Sequence, residues 1–232
     1  KEDHTARDSW LAHAACMELR PGAPFSYRIK LMSNQVKTLF GKEPDNLDDY
    51  ARQSQISQAE AFKYYIERFR LSKPRRMGII WWNIVDGWPQ ISDAVVDYFY
   101  TKKLAYHYIK RSQNPVCLMF DEPKDGTISL FAVNEYPTDV RLTYTVKNVQ
   151  SGKTVLSGKV NAYADSSREI ERIAVEPNEK TFYLIEWSVE GKTEIERNHY
   201  FTNIIDIDYN DYMHCLAECG MDQFEGFTDG AV

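Results

Sequence analysis

Met77-Gly78-Ile79-Ile80-Trp81-Trp82 is a continuous apolar run, bounded by Arg75-Arg76 on one side and by Asn83 on the other. Its apolar residues do not alternate with polar ones. The run therefore reads as a short strand buried on both faces, the pattern of a parallel sheet or barrel. Helices are expected before it. Trp10, Leu11, Ala14, Ala15 and Met17 suggest a helix over Thr5 to Leu19, stopped by Pro21-Gly22. A second is expected from about Phe25 to Phe40, ending at Gly41. The third is the clearest, with Asp45 as its cap and Leu47, Ala51, Phe62, Ile66 and Phe69 at helical spacing. It is expected to end near Leu71, where Ser72-Lys73-Pro74 breaks it. After the apolar run come a loop, Asp86-Gly87-Trp88-Pro89, and a helix from about Lys102 to Ser112. Helix, buried strand, polar-aromatic loop and helix make the grammar of an α/β repeat.

Beyond Pro115 the period becomes two. Ile128 to Val133 reads as one strand. Leu142, Tyr144 and Val146 alternate with Arg141, Thr143, Thr145 and Lys147, as in a half-buried antiparallel strand. Further strands are expected over Thr154–Ala162, Phe182–Val189 and Thr193–Phe201, with turns at Ser151-Gly152 and Glu190-Gly191. Short strands so closely spaced read as an antiparallel β-sandwich, here without the Cys-Trp-Cys framework of a disulfide-pinned immunoglobulin domain. A short helix is expected from Tyr209 to Cys219, with Gly220 as its cap and a frayed close from Gly226 to Val232.

The 232 residues are 43% hydrophobic and 27% charged, which excludes a disordered chain, and no apolar run is long enough to span a membrane. The net charge of −6 argues against a nucleic-acid partner. That charge is unevenly spread: residues 1–112 hold 18 Lys/Arg against 13 Asp/Glu, and residues 113–232 hold 10 against 21. Two units are the simplest account. Cys215 and Cys219 are four apart, but no histidine sits at ligand spacing around them, and no metal or other cofactor is expected. The cysteines read as free thiols or small buried hydrophobes. Lys1-Glu2-Asp3-His4 opens without an apolar segment behind it, so the 232 residues are expected to hold no signal peptide.

Chemistry concentrates in Trp81-Trp82-Asn83-Ile84-Val85-Asp86-Gly87-Trp88-Pro89, where three of the five tryptophans stand beside an amide and a carboxylate. Indole rings stack on the apolar faces of sugars, and Asn and Asp bond hydroxyl rims. The competing reading is a tryptophan-filled core. Lys73, Arg75 and Arg76 read as a solvated strand entrance. Asn134-Glu135 reads as a strand-end accident rather than an acid/base pair.

Gly78 to Pro89, continued by Ser92-Asp93-Ala94-Val95-Val96-Asp97-Tyr98 and by Lys103 to Lys110, resembles the last barrel strand and following helix of glycoside hydrolase family 2, above all its β-mannosidase-like branch. Ser54-Gln55 with Gln58 to Ala61 is similar to the family's preceding helix, and Trp10 with His13 to its Trp-x-x-His pair. The resemblance implies an α+β chain: the helical remnant of the end of a (β/α)8 barrel over 1–112, an antiparallel immunoglobulin-like β-sandwich over 113–203, and a tail over 204–232. It implies a retaining β-glycosidase as the parent protein, with two glutamates about 5–5.5 Å apart. Both would precede Lys1, so the isolated chain is expected to be inactive. Trp82 matches the platform under the sugar at the cleavage subsite. Asp86 and Trp88 match the loop beyond it and either shape the pocket or hold the loop. A β-linked glycan is the implied substrate. Residues 1–112 would bury their apolar surface against a second copy or against N-terminal domains absent from this chain. The alternative is a carbohydrate-binding or structural sandwich module without catalysis, displaying Trp81, Trp82 and Trp88.

Overall fold

The computed structural model describes His13 and residues 27–227. The helix expected over Thr5 to Leu19, with Trp10 and Cys16, lies outside the described residues but for His13. The elements in chain order are α1 Tyr27–Phe40, α2 Leu47–Leu71, α3 Leu104–Ser112, β1 Val116–Phe120, β2 Thr127–Asn134, β3 Val140–Asn148, β4 Lys153–Ala162, β5 Ser166–Ala174, β6 Phe182–Val189, β7 Glu196–Phe201 and α4 Tyr209–Glu218. No helix among the described residues is long and apolar enough to cross a membrane. Two compact units result. One comprises Lys1–Phe62, Ile80–Tyr108 and Ile205–Val232, the other Lys63–Ile79 and Ile109–Ile204.

In the first unit α1 ends at Gly41, whose φ of 76° is the left-handed conformation that closes a helix without a Cβ penalty. The cap of α2 is Asn46, one residue later than expected. Its Oδ1 accepts the Asp49 N–H at 2.9 Å, and its Nδ2 donates to the Asp49 carboxylate at 2.7 Å. Asp45 lies one position too early to reach that amide, the third into the helix. Gln55 ties two distant segments to α2, donating to the Gly226 carbonyl at 3.1 Å and accepting the Leu104 N–H at 2.9 Å. On α4 the Asp208 carboxylate caps the Asn210 and Asp211 N–H groups. Inside this unit Tyr108 and Tyr212 join hydroxyls at 3.0 Å, and Tyr212 donates to Glu60. The chain's close is firmer at its start than expected: Phe227 is buried, and a Cβ on Gly226 would run into the Lys102 carbonyl. Residues 228–232 lie outside the description.

The run 77–82 is not a strand. It carries no strand pairing, and Ile80 is 98% exposed. A strand is made by the N–H and C=O groups of a neighbour, and among the described residues no other strand lies alongside this run. Pairing starts only beyond it, with a parallel bridge between Val85 and Val96.

The second unit is built on two antiparallel sheets, in the orders β1-β2-β5 and β4-β3-β6-β7. The alternation read along β3 holds: Leu142, Tyr144 and Val146 are buried, facing Val189, Trp187 and Ile185 across the ladder to β6. They join β1 and β2, among them Leu118, Ile128 and Leu130, in one apolar cluster shared by both sheets. Two strands were not foreseen. β1 is buried at all five positions and so shows no alternation. β5, Ser166–Ala174, is an edge strand carrying Arg168, Glu169, Glu171 and Arg172, and only Ile170 and Ile173 pack on the cluster. Charges on an edge discourage further pairing and also disguise the strand. β7 begins at Glu196 rather than Thr193, because its ladder with β6 ends at the Trp187–Glu196 pair.

Cys117, on β1, is fully buried, and that burial pushes its thiol from about 9 up to about 12. A thiol held neutral in the folded state adds stability that is whole below the unfolded value and lost as pH rises through the folded one. Unfolding midpoints of the sheet unit are therefore expected to fall between about pH 9 and 12, and Cys117→Ala to flatten that decline. A slope unchanged in the variant would refute the assignment.

Candidate functional site

The loop after the apolar run is fixed by its backbone. The Val95 N–H donates to the Asn83 carbonyl at 3.2 Å and the Val96 N–H to the Ile84 carbonyl at 2.9 Å, while the Asp86 N–H donates to the Val96 carbonyl at 3.1 Å. Residues 83–86 and 95–97 thus run side by side in the same direction. The two tryptophans before them point to different places. Trp81 packs edge-on against Phe62, with ring centroids 5.7 Å apart, whereas Trp82 stands 71% exposed.

Asp86 is a buried charge, and its side chain has no exposed surface. Such a group is retained only when its oxygens are satisfied. Lys103 Nζ lies 3.2 Å from one oxygen; Gln90 Nε2, at 2.8 Å, and the Ser92 hydroxyl donate to the other. Ser92 Oγ in turn accepts the Ala94 N–H at 3.0 Å. All these partners belong to the loop or to its return, so what the geometry gives Asp86 is a hold on the loop. Trp88 stacks on His13 at 6.2 Å and 26°, and His13 Nδ1 lies 3.1 Å from the Pro89 carbonyl oxygen. Its own carbonyl accepts the Ile91 N–H. The structure thus sets Trp82, Asp86 and Trp88 on one loop: Trp82 outward, Asp86 in a network beneath, and Trp88 against His13.

Lys103 and Gln90 were not singled out from the sequence. A lysine directly before the apolar Leu104-Ala105, in the same stretch as a loop carboxylate, is the one trace of that pairing. Asn134-Glu135 lies in the other unit and is engaged structurally. Asn134 Nδ2 donates to the Thr138 and Ala162 carbonyls and its Oδ1 accepts the Tyr136 N–H, while Glu135 pairs with Arg70 at 3.1 Å. Among the described residues no group of three His, Cys, Asp or Glu side chains could hold a metal ion. Burial, with Asp211 and Glu218 nearby, raises the Cys215 thiol to about 11, away from thiolate chemistry near neutrality.

A helical unit with an exposed tryptophan ahead of a carboxylate-braced loop, joined in sequence to two antiparallel sheets, resembles the C-terminal part of glycoside hydrolase family 2 enzymes of the β-mannosidase-like branch. In sequence the chain is 30% identical to β-mannosidase B of Aspergillus niger over 164 residues, 65% of this chain and 19% of that protein. In fold it matches β-D-mannosidase from Dictyoglomus thermophilum with a TM-score of 0.65 at 24% identity, covering 75% of this chain and 22% of the other. Exo-chitosanase CsxA of Amycolatopsis orientalis matches with a TM-score of 0.57 at 18% identity, over 74% and 21%. The chain thus spans about a fifth of the length of these proteins. No family model matches it.

Proposed function

We propose that the chain is the C-terminal part of a retaining β-glycosidase of the β-mannosidase-like branch, acting on a β-linked glycan. Its first unit is then the end of the catalytic (β/α)8 barrel, and the apolar side chains of Ile80 and Ile84 are the surface that neighbouring barrel strands cover. Its second unit is an immunoglobulin-like sandwich. The strand order supports this, since β2 pairs with β5 in one sheet while β3 pairs with β6 in the other.

The observation that carries the reading is Trp82, exposed directly ahead of a loop that Asp86 braces from beneath. A rigid indole face stacks on the apolar side of a pyranose, which is the role we assign it. Trp88 and Asp86 hold the loop that rims the pocket. A retaining mechanism needs two glutamates, an acid/base and a nucleophile. The 232 residues hold no counterpart to either, so chemistry awaits the rest of the parent protein. The purified chain is expected to leave an aryl β-mannoside intact and to bind manno-oligosaccharides weakly, at roughly millimolar Kd. Tryptophan fluorescence would follow the titration, and Trp82→Ala should weaken binding about tenfold or more. Binding indifferent to Trp82→Ala would remove the platform role. Turnover by the chain itself would remove the placement of the glutamates elsewhere.

A further inference from the structure

The sheet unit carries a cavity of its own, of about 560 Å³, with Tyr136, Trp187, Val189, Lys192, Glu194 and Glu196 in its wall. All six lie within Ile109–Ile204, so the cavity belongs to one unit. The ladder between β6 and β7 ends there, at the pair Trp187–Glu196. Residues directly opposite in a ladder place their side chains on the same face of the sheet. Trp187 is 2% exposed and belongs to the apolar cluster shared by both sheets. Glu196 therefore stands on the inner face, half-buried, and after burial itself it is among the charges that act to raise the Cys117 thiol.

A carboxylate drawn partly out of water needs a cation or donors. Glu186 and Glu190 nearby have Arg197 and Arg141. By contrast, among the described residues the side chains of Glu194, Glu196 and Lys192 make no hydrogen bond or ion pair. The buried Trp187 Nε1–H likewise has no acceptor. Buried polar groups in native proteins are nearly always paired, and exceptions gathered at one cavity point to an occupant.

Charge decides the class of that occupant. Lys192 against Glu194 and Glu196 leaves the wall one negative charge. An anion would meet two carboxylates, and a neutral ligand would leave that charge standing. Val189 and Tyr136 offer apolar and aromatic surface beside it. Tyr136 is held by its backbone: its N–H donates to Asn134 Oδ1 at 2.9 Å, and its carbonyl accepts the Asp165 N–H at 3.0 Å. Ammonium groups gain both from carboxylates and from aromatic faces, and a hydrocarbon stem gains from apolar walls. We propose that this cavity binds a small aliphatic amine as its ammonium ion, with the charged head at Glu194 and Glu196 and the stem along Val189 and Tyr136. Side chains directly opposite in a ladder start from Cβ atoms about 4.5–5.5 Å apart, so a Glu196 fixed by the ligand brings its second oxygen within reach of the Trp187 N–H. The site takes nothing from Trp82.

The test titrates the 232-residue chain with n-butylammonium chloride and, as the neutral counterpart, with 1-butanol, following the indole N–H signals by nuclear magnetic resonance. The ammonium ion is expected to bind at roughly millimolar Kd and to shift the Trp187 signal, while butanol leaves it in place. Glu196→Gln and Glu194→Gln keep the side-chain shape and break no bond within the unit, so melting temperatures should hold. Each is expected to weaken ammonium binding about threefold or more, and the double variant about tenfold or more. Trp82→Ala should leave it unchanged. Equal binding of butanol overturns the ammonium site, as does binding untouched in the double variant. No binding of the ammonium ion overturns it outright, and none of these results bears on Trp82.

Discussion

Glu67→Ala is expected to destabilise the sheet unit by about 3–5 kcal/mol, because it leaves a lysine buried without its counter-charge. Lys63 and Glu67 pair at 2.9 Å one turn apart on α2, each side chain only 5% exposed. The other Glu67 oxygen accepts from Asn198 Nδ2 at 2.8 Å, and the same amide reaches the Leu118 carbonyl at 3.0 Å. One carboxylate therefore serves the helix, β7 and, through the shared amide, β1. Removing it strands an ammonium and weakens an amide bridge in a low-dielectric setting. Chemical denaturation followed by circular dichroism would read the loss. Replacing both partners by apolar residues, Lys63→Met with Glu67→Leu, should recover most of it, since no buried charge is then left alone. A double variant as unstable as the single one would refute this account.

Asp86→Ala should cost about 2–4 kcal/mol locally, less than a fully enclosed pair because the Lys103 side chain is 17% exposed. Three donors lose their common acceptor at once: Lys103, Gln90 and Ser92. The loop that they close would open more often. Amide exchange at Val95, Val96 and Lys103, whose N–H groups bond back to Asn83, Ile84 and Val95, should accelerate by one to three powers of ten, following the opening free energy. Protection unchanged in the variant would mean that the backbone pairing alone holds the loop. Asp86→Asn keeps an acceptor and should fall between the two.

Elements whose burial is one-sided were legible in the sequence. The helices α1 to α3 and the strands β2, β3 and β4 announce themselves because each presents one apolar face, β6 because its run of apolar and aromatic residues is broken only by Glu186 and Ser188, and helix ends at Gly41 and Gly220 follow from the left-handed backbone that glycine tolerates. Legibility fails at β1 and β5. β1 has no polar face, and β5 has little but charge. The apolar run at 77–82 fails in the opposite sense. A sequence records what a segment can bury, while strand formation depends on a neighbour that the segment itself does not encode. The site divides likewise. Trp82, Asp86 and Trp88 stood out by residue type and spacing. The pairing of Asp86 with Lys103 and the stacking of Trp88 on His13 join residues 17 and 75 positions apart, and no local pattern carries them.

The ladder between β2 and β5 encloses the whole β3–β4 hairpin, although that hairpin belongs to the other sheet. Its consequence is temporal. Hairpins close over a few residues and form within microseconds, whereas β2 must wait for β5 across an interposed pair of strands before the sheet edge exists. The free energy of closing that larger loop is spent before its contacts repay it, as it is for β3 with β6, so these two long-range ladders weigh more on the rate at which this unit folds than the pairing of β3 with β4.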